Sequence, residues 1–331
     1  MSYLDGKVVF LTGGTGSFGK RFTKIALEQT KIKELIIYSR DELKQFEMQQ
    51  WANSPKIKYV IGDVRDFYRL KTAMAGVDIV IHAAAMKQVP ASENNPIEAI
   101  RTNVFGAENI INAAIENKIT KVLALSTDKA CNPANLYGAT KLCSDKLFIA
   151  ANGLVKERST KFAVVRYGNV IGSRGSIIPF FSKIKSTGRV PITDPKMTRF
   201  MITLAQGVQF VLNSLETMEG GELFIPKIPT MNLMDIKEAI APECKVDIIG
   251  IRPGEKVHEA MIGPDDSLNT VEFTSQYVIM PQMTWWNTED YMKRNSCKKV
   301  APGFCYDSSQ DHDIMTADGL KQILKDEVIE Y

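Results

Sequence analysis

Hydrophobic and polar positions alternate in blocks through the first half of the chain. KVVFL (7–11) is a short β-branched run, followed by a glycine-rich turn and by helical spacing from Phe18 to Gln29. ELIIYS (34–39) predicts a second strand, and the charged amphipathic stretch from Asp41 to about Ala52 predicts a helix. IKYVIGDV (57–64) and VDIVIHAAA (77–85) read as a third and a fourth strand, with a helix from about Phe67 to Ala75 between them. A long helix follows over roughly Ile97 to Asn117, then a fifth strand, KVLALST (121–127), and a helix that begins near Leu136. TKFAVVRYGNV (160–170) supplies a sixth strand. Strands alternating with helices imply βαβ crossovers and a parallel sheet covered on both faces. The fold class this predicts is α/β, a Rossmann-type doubly wound parallel sheet.

After Gly172 the regularity weakens, and Gly, Pro and Ser become frequent in IGSRGSIIPFF and GRVPITDPKMTRFMI. This pattern predicts a smaller C-terminal lobe over the carboxyl edge of the sheet, where ligands of open α/β sheets bind. The expected division is a first domain over 1–170, rejoined by a strand near 220–226 (GGELFIP), with 171–331 mainly lobe and tail. Beyond about Asp265 the pattern fades, and no element is assigned there.

Composition narrows the class without changing the picture. The chain is 44% apolar and 24% charged, ordinary for a globular protein, and its formal balance is only +3. That balance, with no dense basic run, argues against nucleic acid and membrane surfaces as partners. No run of about 20 apolar residues exists to span a bilayer. The N-terminus, MSYLDGKVVFLTGG, lacks the long apolar core of a signal peptide. Five scattered cysteines without a CxxC pair read as reduced thiols, which places the protein in the cytoplasm. Three histidines, His82, His258 and His312, are too few for a histidine-rich metal site, and no metal is expected.

The turn after the first strand, TGGTGSFG (12–19), carries the first chemical signal. Gly14, Gly16 and Gly19 fit GxGxxG, and Gly13, Gly16 and Gly19 fit GxxGxxG. Placed between a strand and a helix, such glycines let the backbone approach a pyrophosphate seated on a positive helix N-terminus. Gly13, Thr15, Gly16, Ser17, Phe18 and Gly19 are therefore candidate dinucleotide contacts. At the end of the second strand an NAD site usually places an acidic residue against the ribose; here Ser39 and Arg40 stand instead. A hydroxyl and a guanidinium suit a 2′-phosphate, so NADP is the expected cofactor. Asp41, next along, is a possible ribose ligand in a shifted register. Asp63 and Val64, ending the third strand, are candidates for the adenine side.

The second signal is STDKACNPANLYGATK (126–141). Tyr137 and Lys141 are four apart on one helix face. A neighbouring ammonium and the nicotinamide charge both favour phenolate, so the tyrosine is expected to titrate below its usual value. Such a tyrosine takes a proton from a substrate hydroxyl while hydride leaves for the cofactor. Asp128 and Lys129 form an acid–base doublet just upstream. Adjacent residues on a regular strand face opposite ways, so both can serve one ligand only if the strand has ended.

Together TGGTGSFG, HAAA (82–85), STDK, YGATK and RYGNV resemble the extended short-chain dehydrogenase/reductase family, which acts on nucleotide sugars. MKQVPASENNP (86–96), the lysine after TD, and RPGEKVHE (252–259) resemble its inverting UDP-N-acetylglucosamine 4,6-dehydratase subgroup, which opens pseudaminic acid synthesis for flagellin. The resemblance covers residues 1 to about 265 and is thinner in the tail. It adds Ala83 and Ala84 to the cofactor contacts. The usual dehydratase carries Thr-Asp-Glu where this chain has Thr127, Asp128 and Lys129. The resemblance implies that Tyr137, aided by Lys141, deprotonates the 4-hydroxyl while hydride passes to NADP. Lys129 then removes the carbon-5 proton, Asp128 protonates the departing 6-hydroxyl, and hydride returns to carbon 6. The cofactor is recycled and stays tightly bound. A lysine must be neutral to act as this base, and burial or a neighbouring cation is expected to lower its pKa.

For the UDP-sugar the resemblance implies Lys87, Asn169, Arg174, Arg199, Arg252 and Glu255 as contacts. It also implies a homo-oligomer. Three alternatives stay open: a capsule-pathway dehydratase/5-epimerase or a retaining dehydratase; a 4-epimerase or reductase; and a non-catalytic NADP-binding regulator on the same fold. Lys129 speaks against the second, and the presence of both Tyr137 and Lys141 against the third.

Overall fold

The computed structural model describes residues 2–155, 159–310 and 313–326. Six parallel strands form the centre of the molecule: β1 (Val8–Thr12), β2 (Glu34–Ser39), β3 (Ile57–Ile61), β4 (Ile79–His82), β5 (Lys121–Thr127) and β6 (Lys161–Tyr167). Their spatial order is 3-2-1-4-5-6, the dinucleotide-binding order. β1, β4, β5 and β6 are buried along almost their whole length, because helices cover both faces. Those helices are α1 (Ser17–Gln29), α2 (Glu42–Trp51), α3 (Phe67–Ala73), α4 (Val89–Asn94), α5 (Pro96–Ile100), α6 (Gly106–Glu116) and α7 (Leu136–Ala151). The strand order reverses between β1 and β4, which opens a crevice at their carboxyl ends.

Two features depart from the sequence pattern. The long helix expected over 97–117 is interrupted: Arg101–Phe105 forms a π-turn between α5 and α6. The widened turn presents Asn103 to the loop after β4, a use often made of such bulges. The second departure is in the tail. Strands Thr270–Glu272, Gln276–Ile279 and Lys298–Lys299 extend the main sheet, joined to β6 through Leu223–Pro226. Leu223–Pro226 runs parallel to β6, and Gln276–Ile279 runs antiparallel to it in turn. Periodicity failed here because these strands are only two to four residues long.

The smaller lobe has a core of its own. Ile178, Phe181, Val190, Ile192, Met201 and Ile236 are buried together, apart from the cluster around the main sheet. Asn169–Val170, which the sequence reads as the end of the sixth strand, instead pairs with Thr198–Ile202 in a separate sheet. The chain thus crosses into the lobe at Gly168, directly beside the crevice. Among the described residues no helix is long and apolar enough to cross a membrane.

Candidate active site

The cofactor end is built from backbone. β1 ends at Thr12, whose hydroxyl oxygen accepts the amides of Ala83 and Ala84, each at 3.1 Å. With both lone pairs used, its proton faces His82 Nδ1 at 2.9 Å. Burial and then the Lys141 charge push His82 down to about 3, so the ring is neutral and can accept. This knot locks the turn after β1 to the turn after β4. Gly16 donates to the Gly13 carbonyl at 3.0 Å and starts α1 without any side-chain cap. The first turn of α1 carries no acidic residue, which leaves its amides and dipole for an anion. A Cβ on Gly19 would lie 2.1 Å from the Gly14 carbonyl oxygen, so only glycine lets helix and turn close this tightly. The cradle fits a dinucleotide pyrophosphate.

At the adenosine end Thr15 Oγ1 donates to Ser39 Oγ at 3.3 Å, tying the turn to the end of β2. Arg40 is exposed and lies 3.8 Å from Asp63. The Asp63 carboxylate is already held by the Arg65 amide, Nε and Nη2, which outweigh burial and keep it below the usual range. Asp41 caps α2 through the Lys44 amide, so its carboxylate is occupied structurally. Val64 is buried, with its methyl groups against Gly106. Phe18 stacks on Phe22.

The reacting end lies where β5 stops. The strand ends at Thr127, and Asp128–Ala130 turns at once into a 3₁₀ segment. Asp128 and Lys129 therefore escape the alternation of a strand and face one another. Asp128 Oδ1 accepts from Thr127 Oγ1 at 3.0 Å and from Lys129 Nζ at 3.1 Å. Asp128 is 1% exposed and its Oδ2 makes no hydrogen bond. The first turn of α7 presses on this segment: a Cβ on Gly138 would lie 2.1 Å from the Lys129 carbonyl. That contact brings Tyr137 to the doublet, with Thr127 bonded to its phenol.

The titration of the doublet differs from expectation. Burial pulls Lys129 down, but Asp128 and Glu259 together outweigh it and raise it above its usual range, against Arg199. The lysine rests as an ammonium, not as the neutral amine expected from burial. Tyr137 is pushed up to about 12 by burial; Lys129 and the Thr127 bond pull it back, and Asp128 and Asp145 add to the rise. It too differs from the lowered phenol expected, and the cation acting on it is Lys129. Lys141 is 3% exposed and is held below its ordinary value by burial, against Asp145.

The substrate side brings some expected residues together and diverts others. Lys87 Nζ donates to the Arg174 carbonyl at 3.4 Å, and the Arg174 amide donates to Ser17 Oγ at 3.2 Å. The turn after β4, the cofactor turn and the lobe thus meet at Arg174. Asn169 Oδ1 is buried with no hydrogen bond. Arg252 and Glu255 face each other at 3.8 Å on an exposed loop. Asn135 Nδ2 holds that loop through the Gly254 carbonyl at 2.8 Å. Arg199 is different: its guanidinium donates to the carbonyls of Thr198, Lys256 and Val257 and faces Met197 Sδ. It braces the loop and presents no free fork for phosphate.

Three residues escape the motif reading. Asn103, from the π-turn, brackets Met86 through its amide and carbonyl and donates to Thr140 Oγ1. Asp145, one turn beyond Lys141, accepts from Ser126 Oγ at 2.7 Å and from Arg166 at 3.3 Å. Glu259 is 3% exposed and lies 3.4 Å from Lys129 Nζ. The i, i+4, i+8 spacing of Tyr137, Lys141 and Asp145 was a usable signal for Asp145. His312 lies outside the described residues.

The sequence matches the family described as polysaccharide biosynthesis protein over residues 9–281. The chain belongs to that family. Among its relatives it is 55% identical over 311 residues to a Campylobacter jejuni UDP-N-acetylglucosamine 4,6-dehydratase (inverting), covering 92% of this chain and 93% of that one. It is 43% identical over 281 residues to a UDP-glucose 4-epimerase of Rickettsia canadensis, covering 82% of each. Of solved structures, Pen from Bacillus thuringiensis superposes with a TM-score of 0.90 at 35% identity, over 99% of this chain and 100% of that one. DesIV of Streptomyces venezuelae, a dTDP-glucose 4,6-dehydratase solved with NAD and TYD bound, gives 0.68 at 20% identity, over 76% and 86%. These sequence relatives are dehydratases and epimerases of nucleotide sugars, and the fold shared with the solved structures is the Rossmann fold of the extended short-chain dehydrogenase/reductases.

Proposed function

We propose that the protein is a UDP-N-acetylglucosamine 4,6-dehydratase that inverts carbon 5. Its product is UDP-2-acetamido-2,6-dideoxy-β-L-arabino-hex-4-ulose, the first intermediate towards pseudaminic acid for flagellin glycosylation. The observation that carries this reading is the contact of the buried Asp128 Oδ1 with the half-buried Lys129 Nζ at 3.1 Å, beside Tyr137. The high identity to the Campylobacter relative supports it.

The cradle of Gly13 to Gly19, with Ala83 and Ala84, would hold a nicotinamide dinucleotide, and Ser39 with Arg40 favours NADP. Bound there, it would supply reversible hydride transfer, drawn on first at carbon 4 and then at carbon 6. Tyr137 takes the proton of the 4-hydroxyl, and the Lys129 ammonium beside it favours the phenolate, with Lys141 one turn along the same helix. The resting ion pair solves the problem of a protonated base. One proton moved across 3.1 Å from Lys129 to Asp128 leaves a neutral amine beside a neutral acid, with no proton exchanged with solvent. Substrate that closes over the pair and excludes water would favour that tautomer, because desolvation opposes both charged forms. Lys129 then removes the carbon-5 proton, and Asp128 gives its proton to the 6-hydroxyl as water leaves. Both groups end as the ion pair they began as.

Lys87, Asn169, Arg174 and Arg252 receive the UDP-sugar in the crevice between the sheet and the lobe, and Arg199 braces the loop around it. The enzyme acts in the cytoplasm as a homo-oligomer. Ile97 and Phe105, apolar and more than half exposed on the α5–α6 stretch, supply a surface for self-association. The Rickettsia relative favours one second reading, 4-epimerisation. Incubation with UDP-N-acetylglucosamine, followed by mass spectrometry of the nucleotide sugar, separates the two. Loss of one water is expected; an isomer of unchanged mass would establish the epimerase instead.

A further inference from the structure

Glu259 stands outside every motif role assigned so far, yet it is the nearest carboxylate to Lys129 apart from Asp128. Its Oε1 lies 3.4 Å from Lys129 Nζ, and its Oε2 makes no hydrogen bond and lies 3.8 Å from Lys256 Nζ. The residue is held from both sides of its backbone: its amide donates to Ser308 Oγ at 2.9 Å, and its carbonyl accepts the Ser308 amide at 2.8 Å. Ser308 Oγ is also bonded to Thr198 Oγ1 at 2.8 Å, which in turn meets His258 Nδ1. Glu259 is thus a fixed, buried anion, 130 residues from Lys129 in sequence. The charged and titratable groups around this pair are Asp128, Arg199, Lys256, His258 and Tyr137. Lys256 is itself tied to the Cys131 carbonyl at 2.7 Å, so it belongs to the wall and not to the ligand space.

We propose that Glu259 is the positioning residue of Lys129, holding in place the ammonium that forms when Lys129 takes a proton from the sugar. The inference rests on the reading of Lys129 as the carbon-5 base. Asp128 alone cannot fill this role, because it must part with its proton in the same step and then attract the Lys129 proton back. A second anion on another element keeps that proton on nitrogen. Inversion needs this: the new carbon-5 proton must arrive from the opposite face, so the base must not return the one it removed. Glu259 stays anionic throughout: Tyr137 takes the 4-hydroxyl proton, Lys129 takes the carbon-5 proton, Asp128 protonates the leaving hydroxyl, and the new carbon-5 proton comes from solvent on the opposite face.

Competitive acetylation across pH, with Lys129 modification read by peptide mass spectrometry, tests the ammonium directly and without turnover. Only the neutral amine reacts. In the unaltered protein Lys129 is expected to become reactive at higher pH than the exposed lysines; reactivity at lower pH than theirs overturns the proposal. In Glu259→Gln its midpoint is expected to fall by about one pH unit or more, as loss of an opposite charge at this range predicts. Glu259→Asp restores part of that fall, and an unchanged midpoint in Glu259→Gln overturns the proposal. With substrate carrying deuterium at carbon 5, Glu259→Gln is expected to return label to the product, which the unaltered enzyme does not. Failure of the unaltered protein to release water from UDP-N-acetylglucosamine would sink the proposed function and leave the acetylation result to judge Glu259 by itself.

Discussion

The two ends of the crevice are made in different ways. The cofactor end is local: residues 12–19 supply the turn, and the helix after it starts without a side-chain cap or an acidic residue in its first turn. The reacting end is assembled from segments up to 131 residues apart, with Asp128, Lys129, Glu259 and Arg199 meeting as charges. The first end is a shape that a single added methyl group destroys. The second is an electrostatic balance, in which the effect of each residue depends on which partners remain. A motif describes the first almost completely and the second only in part.

Substitutions at the two ends should separate chemistry from binding. The largest effect is expected from Tyr137→Phe, which removes the proton acceptor for the 4-hydroxyl. Its kcat should fall by about 10²–10⁴-fold, with bound dinucleotide unchanged by absorbance after denaturation. Equal loss of dinucleotide would show that the tyrosine serves the cradle instead. Gly19→Ala should do the reverse. Forcing a Cβ against the Gly14 carbonyl costs about 1–3 kcal/mol of overpacking, and dinucleotide affinity by calorimetry should drop roughly 10–100-fold. Undiminished affinity would break the claim that shape governs this end.

Asn103→Leu probes the joint between the ends. It leaves the Met86 amide and carbonyl without their partner, and denaturant unfolding should show a loss of about 1–3 kcal/mol. KM for the nucleotide sugar should rise more than kcat falls, because Lys87 follows Met86 directly. A change in kcat alone would put Asn103 at the chemistry. The smallest effect belongs to Arg40→Ala. Arg40 is exposed, so its loss should weaken NADP by about tenfold or less and leave NAD unaffected. Tighter binding of NAD than NADP by the unaltered protein would overturn the NADP preference.

Much of this architecture was legible because the parallel strands are short apolar runs that alternate with helical stretches such as α1 and α7. The glycine turn, the strand ends and the start of α7 follow from that pattern. The π-turn was not legible, since Arg101–Phe105 keeps helical periodicity on either side while Asn103 gains its role from tertiary contact. The short tail strands fell below the length at which alternation is readable. At the site, YGATK picks out Tyr137 and Lys141, but the charge state of Lys129 is not readable from the motif. Burial alone predicts a neutral amine, and the second carboxylate that reverses this, Glu259, gives no signal from its place at the end of RPGEKVHE. Arg199 shows the complementary failure: an arginine at a plausible position whose donors are spent on backbone carbonyls.

The most direct measurement is the configuration at carbon 5 after turnover of UDP-N-acetylglucosamine in deuterated water, read by proton and carbon NMR. The account predicts a 6-deoxy-4-keto sugar of L configuration with deuterium at carbon 5, formed without added cofactor. A D-configured product would contradict inversion, and a product with no deuterium at carbon 5 would show that the base returns the proton it removed, contrary to delivery from the opposite face.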